Sequence, residues 1–418
     1  MPREVALICG LFSPRQRETE ITACMVELHA LCQTAGADVV ARTWQKRTAP
    51  DRATLIGLGK AGQIQQQCST AGANLVVFFN VLSSLQQRNL EDLLQVKVID
   101  RSRLILDIFA TRARSIEGKL QVELAQLLYL LPRLTGKGVA LSRLGGGIGT
   151  RGPGESKLET DRRLIKDKIS RIRRKLETVL KSRDVQRQSR RSLPVPLVSL
   201  VGYTSAGKST LFKTLSGEAV EISARLFSTL DPLLRRVDLF DIHPGYYFIL
   251  SDTVGFIRNM PDELYSSFQA SLEEVHHADL VLHVIDLNNP DWLGQKSEVE
   301  KVLQQLQIDR DKIITVFNKI DLLQGHEELL RKSSPREIYI SAATGLGIAS
   351  LKEEIFQCYF ADYELFQLEI ADEQQLDALS QWSIVVEKNR LDSGFQVSVL
   401  SSREKMLKFR EKHGGLSQ

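Results

Sequence analysis

The sequence predicts an α/β fold in three parts: an N-terminal α/β domain with a helical hairpin, a second α/β domain, and a small α+β domain at the end. The 418 residues exceed what one ordinary core organises, so two to four domains are expected. Apolar runs alternate with helical patterns in two separate stretches, which is typical of mainly parallel sheets. Between these stretches, aliphatic residues recur at heptad spacing, as they do in long paired helices.

The N-terminal α/β domain is assigned to residues 1–114. Short apolar runs predict strands at Val5–Gly10, Ala37–Thr43, Leu75–Phe79 and Val96–Ile99. Helical spacing of the apolar residues in Ala23–Thr34 predicts a helix between the first two strands. This alternation indicates a mainly parallel sheet.

An antiparallel helical hairpin is predicted over residues 115–190. Two aliphatic series follow spacings of three and four residues: Leu120, Leu124, Leu127, Leu131 and Leu134, and then Ile165, Ile169, Ile172, Leu176 and Val179. Two matching seams in one chain favour packing against each other over a dimer interface, so a monomer is expected. Pro132 lies inside the first series and should end or kink that helix.

A glycine-rich loop, residues 136–154, joins the two predicted helices. It holds eight glycines together with Lys137, Arg143 and Arg151, and it has no acidic residue. Loops longer than about 12–15 residues are usually functional or disordered. A disordered linker therefore stays open as an alternative, but isolated basic residues among flexible glycines suit the irregular surface of folded RNA.

The second predicted helix is strongly basic. Between residues 162 and 191 there are thirteen Lys or Arg residues against three acids. Such a run can be a merely solvated helix face, but a net charge of +10 beside a basic loop favours contact with RNA phosphates. The candidate RNA-binding residues are Lys137, Arg143, Arg151, Arg162, Arg163, Arg171, Arg173 and Arg174.

The second α/β domain, residues 195–358, follows a predicted linker at Ser189–Pro196. Its first apolar strand, Leu197–Val201, leads into Gly202–Ser209, which has the pattern G-x-x-x-x-G-K-S of a P-loop. Backbone amides of such a loop surround phosphates, its lysine neutralises the β- and γ-phosphates, and its serine binds Mg²⁺. A chance match in a glycine-rich turn is the alternative, and the flanking strand and helix argue against it. The predicted phosphate contacts are Gly202, Tyr203, Thr204, Ser205, Ala206, Gly207, Lys208, Ser209 and Thr210.

A second motif predicts that the base is guanine. Asn318-Lys319-Ile320-Asp321 follows the apolar strand Ile313–Phe317. The Asp321 carboxylate can accept hydrogen bonds from N1–H and the exocyclic amine of guanine, a donor pair that adenine lacks at those positions. Lys319 can lie along the base, and Asn318 can tie this loop to the P-loop. Ser341-Ala342-Ala343 follows the strand Ile338–Ile340 and can present a backbone N–H to the guanine O6.

A third motif lies between the other two. Asp252-Thr253-Val254-Gly255 follows the strand Tyr247–Ser251 and has the D-x-x-G pattern of GTPases. Asp252 is expected to hold Mg²⁺ through water, and the Gly255 amide to contact the γ-phosphate. Phe256 stands where GTPases of the Ras type place the glutamine that orients water, so hydrolysis should be slow alone and faster with a partner. Lys208 and Gly255 are accordingly candidate catalytic residues.

The last part, residues 362–418, is predicted to be a small α+β domain. It has two predicted strands, Ser383–Glu387 and Phe395–Leu400, and a basic helix near Glu404–Lys412.

Composition excludes several other classes of protein. Five cysteines with no C-x-x-C pair argue against a disulfide framework or a zinc finger. His276 and His277 lack nearby acids or cysteines in a ligand pattern and are expected on a helix surface. With neither a signal peptide nor an apolar run of the roughly 20 residues that cross a bilayer, a cytoplasmic protein is expected.

The chain resembles the HflX family of bacterial GTPases over most of residues 75–345. The resemblance rests on five segments: Asp100–Phe109, Gly118–Leu124, Gly145–Glu155, Leu158–Arg163 and Asp252–Arg258. It implies an N-terminal α/β domain, a helical hairpin, a P-loop GTPase (G) domain and a variable C-terminal domain. It also implies GTP hydrolysis with Mg²⁺, binding to the large ribosomal subunit, and dissociation of stalled or idle ribosomes, especially after heat stress.

The resemblance adds one site residue. A threonine in a loop is usually only a turn residue, but the family places a switch threonine, a Mg²⁺ ligand, at the position of Thr229. The segment Phe227, Ser228, Thr229, Leu230 and Asp231 therefore joins the predicted nucleotide contacts, and Thr229 joins the catalytic candidates. Some family members also bind or hydrolyse ATP through the N-terminal domain.

Two departures from the family pattern stand out. Ser205 replaces an asparagine that related GTPases link to the use of monovalent cations. Asn80-Val81 replaces a typically acidic stretch, and Leu58 stands where a basic residue is usual.

The leading function is thus a GTPase that acts on ribosomes in translation. An RNA-remodelling NTPase that works through the N-terminal domain, a ribosome-assembly GTPase and a non-ribosomal regulatory switch are the alternatives.

Overall fold

The computed structural model describes residues 4–136, 153–191, 195–217, 233–253, 255–258, 274–331, 334–391 and 394–413. These residues divide into two compact units. The first comprises the described residues up to Thr178 together with Arg258, and the second comprises the others. The described part of the chain contains no helix that is both long and apolar enough to cross a membrane.

The first unit contains a four-stranded parallel sheet in the order β2-β1-β3-β4. Its strands are β1 (Val5–Phe12), β2 (Asp38–Lys46), β3 (Leu75–Phe78) and β4 (Lys97–Asp100). Its helices are α1 (Glu18–Ala35), α2 (Leu58–Ala71), α3 (Ser84–Leu94) and α4 (Arg101–Arg112). The four predicted strands and the predicted helix are all present, with bounds extended or shifted by a few residues.

A buried carboxylate fixes the end of this sheet. Asp100, the last residue of β4, caps α4 by accepting a hydrogen bond from the Arg103 N–H, and it also accepts bonds from the Leu82 N–H and the Tyr129 hydroxyl. The Arg133 guanidinium lies 3.0 Å from the same carboxylate. Burial of this charge is compensated because each carboxylate oxygen has partners.

Two helices continue the first unit. In α5 (Ile116–Leu130), the Ser115 hydroxyl caps the first turn, and the helix gives way to a 3₁₀ segment that contains Pro132. The second helix is α6 (Pro153–Arg191). Helices α5 and α6 pack together through one apolar cluster, as the two predicted aliphatic series require. Its buried members are Leu124, Leu127, Ile169, Ile172 and Leu176.

The predicted linker at Ser189–Pro196 was wrong in its first residues. Helix α6 continues through Arg191, and strand β5 begins at Leu197. The Arg- and Gln-rich sequence before residue 192 has favourable intrinsic helix propensity, and neither glycine nor proline interrupts it.

The second unit is organised around a six-stranded sheet in the order β10-β9-β8-β5-β7-β6, in which only β6 is antiparallel to its neighbour. Its strands are β5 (Leu197–Gly202), β6 (Leu233–Asp238), β7 (Tyr247–Asp252), β8 (Leu280–Asp286), β9 (Ile313–Asn318) and β10 (Glu337–Tyr339). Its helices are α7 (Lys208–Ser216), α8 (Trp292–Gln305), α9 (His326–Arg331) and α10 (Ile348–Tyr359).

The end of the chain forms a three-stranded antiparallel sheet in the order β11-β13-β12. Its elements are β11 (Tyr363–Ile370), α11 (Glu373–Ser380), β12 (Ile384–Leu391), β13 (Gly394–Ser402) and α12 (Arg403–His413). The two predicted strands and the basic helix are present, whereas β11 and α11 were not predicted. This sheet, called the tail sheet below, has an apolar core of its own, but Tyr363, Ile384 and Leu400 belong to the core of the six-stranded sheet.

Candidate functional site

The predicted phosphate loop connects the end of β5 to the start of α7. Two positions in this loop require glycine because neighbouring atoms leave no room for a side chain. A Cβ on Gly202 would lie 2.3 Å from the Val284 carbonyl oxygen on β8. Gly207 has φ +95°, and a Cβ there would lie 2.2 Å from the Asn318 side-chain nitrogen. A larger residue would therefore displace the β8 backbone at Gly202 and the Asn318 side chain at Gly207.

Lys208 occupies the centre of this loop and is almost fully buried. Its ammonium group donates to the carbonyl oxygens of Gly202, at 3.0 Å, and of Tyr203, at 2.9 Å. Burial lowers the pKa of Lys208 to about 8, and the nearby Asp252 carboxylate opposes that shift. The loop thus holds at its centre a cation that donates to backbone carbonyls, which suits the loop to receive phosphate.

Ser209 and Asp252 supply adjacent oxygen atoms. The Ser209 hydroxyl donates to a carboxylate oxygen of Asp252 at 3.2 Å, and Asp252, the last residue of β7, is completely buried. A hydroxyl and a carboxylate side by side are the hard oxygen donors that Mg²⁺ prefers. The hydroxyl of the next residue, Thr253, donates to the Leu200 carbonyl oxygen and so fastens the end of β7 to β5.

Gly255 and Phe256 are attached directly to the phosphate loop. The Thr204 N–H donates to the Phe256 carbonyl at 2.8 Å, and the Phe256 N–H donates to the Gly202 carbonyl at 3.1 Å. A Cβ on Gly255 would lie 3.1 Å from the Lys208 nitrogen, so this backbone runs beside the buried cation. The Phe256 side chain is buried and offers no polar group to water.

Asn318 joins the base-recognition motif to the phosphate loop. Its amide nitrogen donates to the Ala206 carbonyl at 2.9 Å, and its amide oxygen accepts from the Ala342 N–H at 2.9 Å. The Thr214 hydroxyl on α7 also donates to the Ala342 carbonyl. One side chain therefore fixes two loops that the sequence separates by more than a hundred residues.

Lys319 and Asp321 extend from the same loop. Lys319 has φ +65°, and its ammonium group lies 2.7 Å from a carboxylate oxygen of Asp286 at the end of β8. Ile320 is buried and begins the short 3₁₀ segment that contains Asp321, whose side chain remains half-buried. Ser341 is buried and Ala343 is exposed, so the segment Ser341–Ala343 has one side toward the core and one toward solvent.

Asp286 and Thr214 were missed by sequence reasoning. The available signal for Asp286 was its position directly after the apolar run Leu280–Ile285, because carboxyl ends of parallel strands border the ligand crevice. Thr214 gave no such signal, since a threonine inside a helix is usually unremarkable.

Five predicted RNA contacts lie on α6 outside its buried seam. Arg162, Arg163, Arg171, Arg173 and Arg174 are all exposed, whereas Ile172 on the same helix is buried against α5. Three further predicted RNA contacts lie outside the described residues: Lys137, Arg143 and Arg151. The same is true of six predicted nucleotide contacts: Phe227, Ser228, Thr229, Leu230, Asp231 and Val254. His276 is exposed, and within the described ranges no group of three or more His, Cys, Asp or Glu side chains could hold a metal ion.

Family models match three successive parts of the chain. A model described as GTP-binding GTPase N-terminal covers residues 22–110, and one described as GTP-binding GTPase Middle Region covers residues 112–190. A third, described as 50S ribosome-binding GTPase, covers residues 197–319 and includes the phosphate loop and Asn318.

Individual relatives match over most of their length. The chain is 45% identical over 393 residues to a GTPase HflX of Caldanaerobacter subterraneus subsp. tengcongensis, which covers 94% of this chain and 89% of the relative. It is 43% identical over 351 residues to GTPase HflX of Escherichia coli, covering 83% and 81% respectively. A GTP-binding protein from Sulfolobus solfataricus, solved in complex with GDP, is 24% identical with a TM-score of 0.44 and covers 84% of this chain and 98% of that one. The extent of the sequence matches shows that the chain belongs to the HflX family of GTPases, which bind GTP and hydrolyse it.

Proposed function

We propose that this protein is a Mg²⁺-dependent GTPase of the cytoplasm that binds the large ribosomal subunit as a monomer and dissociates stalled or idle ribosomes. The observation that carries the ribosomal part is the arrangement of α6. This helix packs on α5 through Ile169, Ile172 and Leu176, and five of its arginines are exposed outside that seam. The description of the matching family model as a 50S ribosome-binding GTPase supports the same partner.

The site residues are assigned roles that follow from their chemistry. Lys208 neutralises the β- and γ-phosphates, and amides of the loop Gly202–Thr210 surround them. Asp321 and the Ser341–Ala343 segment bind guanine. Ser209, Thr229 and Asp252, the last through water, hold Mg²⁺, which when bound offsets the negative charge of the phosphates.

Hydrolysis is proposed to depend on the partner. The residue after Gly255 is the buried Phe256, which has no group that can orient the attacking water. The Gly255 amide and Lys208 can bind the γ-phosphate, but an orienting group must come from elsewhere. Contact with the large subunit would supply or position that group.

The exposed arginines of α6 are proposed to contact RNA phosphates. Because such contacts release condensed counterions, affinity should fall steeply with salt. Lys137, Arg143 and Arg151, which lie in the glycine-rich segment next to α6, are assigned to the same RNA surface on the basis of their sequence.

Co-sedimentation with purified large subunits tests this function. The wild type is incubated with a non-hydrolysable GTP analogue, with GDP and without nucleotide, each at two salt concentrations. The protein should pellet most with the GTP analogue and least at high salt. Pelleting that is equal in all three nucleotide states would contradict the proposal.

A second activity, ATP binding by the N-terminal domain, is proposed from the first unit. In the sheet order β2-β1-β3-β4, the chain reverses its winding direction between β1 and β3, and α/β sheets bind ligands beside such a reversal. Helix α2 begins at Leu58 after Gly57, which provides no side-chain cap, and a Cβ on Gly57 would lie 3.5 Å from the Arg47 guanidinium. Lys60 lies in the first turn of α2. ATP titration of the Asp321→Asn variant, with and without Lys60→Ala, separates this site from the guanine site. ATP affinity that Lys60→Ala leaves unchanged would argue against it.

A further inference from the structure

The connection between β6 and β7, residues 239–246, is held by helix α10. The His243 ring stacks on the Phe356 ring with centroids 3.4 Å apart and planes 9° from parallel. A ring nitrogen of His243 lies 2.8 Å from a carboxylate oxygen of Glu353, one turn earlier on the same helix. The histidine thus makes an apolar and a polar contact with one face of α10.

Further contacts hold the same connection on both sides. Tyr246 packs edge-on against Phe356 and Phe360, with centroids 5.0 Å and 5.1 Å apart. Gly245 has φ +88°, and a Cβ there would lie 3.4 Å from Leu400 of the tail sheet. The connection therefore lies against α10 and against the tail sheet.

The other end of the β6–β7 hairpin lies at the candidate metal site. Leu233, the first residue of β6, pairs with Asp252, the last residue of β7, and the register between them and the Asp238–Tyr247 pair has no bulge. At about 3.3 Å per residue, the six-residue strand β7 spans roughly 17–20 Å. Strand β7 pairs with β6 on one side and with β5 on the other, and the Thr253 hydroxyl fastens its Asp252 end to β5. The contacts of residues 239–246 fix the opposite end, so the strand that carries Asp252 is held at both of its ends.

Helix α10 also borders the base site. It begins after Gly347, whose φ of +73° and close approach to the Tyr339 carbonyl exclude other residues, and the preceding segment contains Ser341–Ala343. The same helix therefore joins the guanine side of the site to the β6–β7 hairpin.

We propose that His243 is a positioning residue for GTP hydrolysis, which fixes the β6–β7 hairpin on α10 and so places Asp252 for Mg²⁺. The proposal rests on the proposed Mg²⁺ dependence. His243 lies at the opposite end of the hairpin from the nucleotide and acts only through β7.

Three substitutions separate the two contacts of His243. His243→Ala removes both the stack and the bond to Glu353, His243→Phe keeps the stack, and His243→Gln keeps a polar group for Glu353. Because the carboxylate of Glu353 is partly exposed, water can replace the lost bond in the phenylalanine variant. The stack cannot be replaced in this way.

The test measures steady-state GTP hydrolysis as a function of Mg²⁺ concentration, together with GDP affinity without metal. For His243→Ala, the half-saturating Mg²⁺ concentration should rise and kcat should fall by about three- to tenfold each, since small misplacements of a reacting group are costly. GDP affinity without metal should stay within about twofold, because the guanine and phosphate contacts are untouched. His243→Phe should restore both values to near those of the wild type.

His276→Ala is the matched control, since His276 is exposed on the same unit and lies outside the hairpin. Thermal unfolding of each variant measures any general loss of stability. A lower unfolding temperature for His243→Ala with an unchanged Mg²⁺ requirement would show a merely structural role and overturn the proposal. If the alanine variant does not fold, His243→Gln provides the same comparison. A wild type that needs no Mg²⁺ would overturn both this proposal and the metal part of the proposed function.

Discussion

The Asn318 side chain bonds to Ala206 of the phosphate loop at 2.9 Å, so that the base and phosphate sides of the nucleotide site share one buried amide. We expect Asn318→Ala to weaken GDP binding, because it leaves the Ala206 carbonyl and the Ala342 N–H without their partner. A buried group that loses its hydrogen bond costs about 1–3 kcal/mol, which is roughly 5- to 150-fold in Kd. Titration with a fluorescent GDP analogue measures this change. Asn389→Ala, on an exposed strand of the tail sheet, is the control, and equal affinities of the two variants would contradict the prediction.

Asp321→Asn is expected to exchange base specificity. The aspartate carboxylate accepts two hydrogen bonds from guanine, whereas an asparagine amide turns one acceptor into a donor. Xanthine carries a carbonyl where guanine has its exocyclic amine, so the variant should bind xanthosine diphosphate better than GDP. Competition between the two nucleotides measures the ratio for wild type and variant. Retained preference for GDP in the variant would show that Asp321 does not contact the base edge.

Nucleotide binding is expected to take up a proton above pH 8. In the nucleotide-free protein the pKa of Lys208 is lowered to about 8, chiefly by burial, so this lysine is largely neutral at pH 9. Phosphate beside it favours the charged form and raises its pKa, so binding at pH 9 should take up close to one proton. Affinity should accordingly fall as pH rises above 8.

Calorimetric titration with GDP in two buffers of different ionisation enthalpy counts the protons. At pH 6.5, where Lys208 is already charged, this lysine should contribute no uptake. A Lys208→Met variant provides the control at pH 9, since it cannot bind the proton. Equal proton uptake by wild type and variant at pH 9 would assign the effect to another group.

Two neighbouring residues of α6 should separate stability from RNA binding. Ile172 is buried in the seam with α5, so Ile172→Ala should cost about 2–4 kcal/mol of unfolding free energy. Arg173 is exposed, so Arg173→Ala should change that free energy by less than about 0.5 kcal/mol. Denaturant unfolding measures both values.

Arg173→Ala, which should leave the unfolding free energy almost unchanged, is expected to weaken RNA binding. Loss of one phosphate contact should reduce the slope of log affinity against log salt by about one. Filter binding of large-subunit RNA over a series of salt concentrations measures that slope. An unchanged slope would remove Arg173 from the RNA surface.

The α/β fold and the position of each of the three nucleotide motifs directly after an apolar strand could be predicted from the sequence. Gly202, Asp252 and Asn318 each end an apolar strand, and the carboxyl ends of parallel strands meet at the same edge. The strand periods and the order of the motifs both indicate the same arrangement.

Tertiary contacts were harder to predict. Strand β11 has no clean alternation of apolar and polar residues, because Tyr363 packs on the six-stranded sheet while Leu368 and Ile370 pack in the core of the tail sheet. Lys319, directly after β9, forms an ion pair with Asp286 at the end of the neighbouring strand β8, and no local sequence pattern connects these residues. The predicted start of the linker at Ser189 was wrong because of a local effect. Helix propensity extends α6 through Arg191, where composition suggested a domain boundary.

The shared core of the second unit constrains the order in which this protein can fold during its own synthesis. All six strands of the large sheet have been translated by residue 339, yet Ile384 and Leu400 belong to the same core. A nascent chain that ends before the tail sheet would therefore leave apolar surface on the large sheet uncovered. The apolar core beneath the nucleotide site would thus be complete only after the tail sheet has been translated.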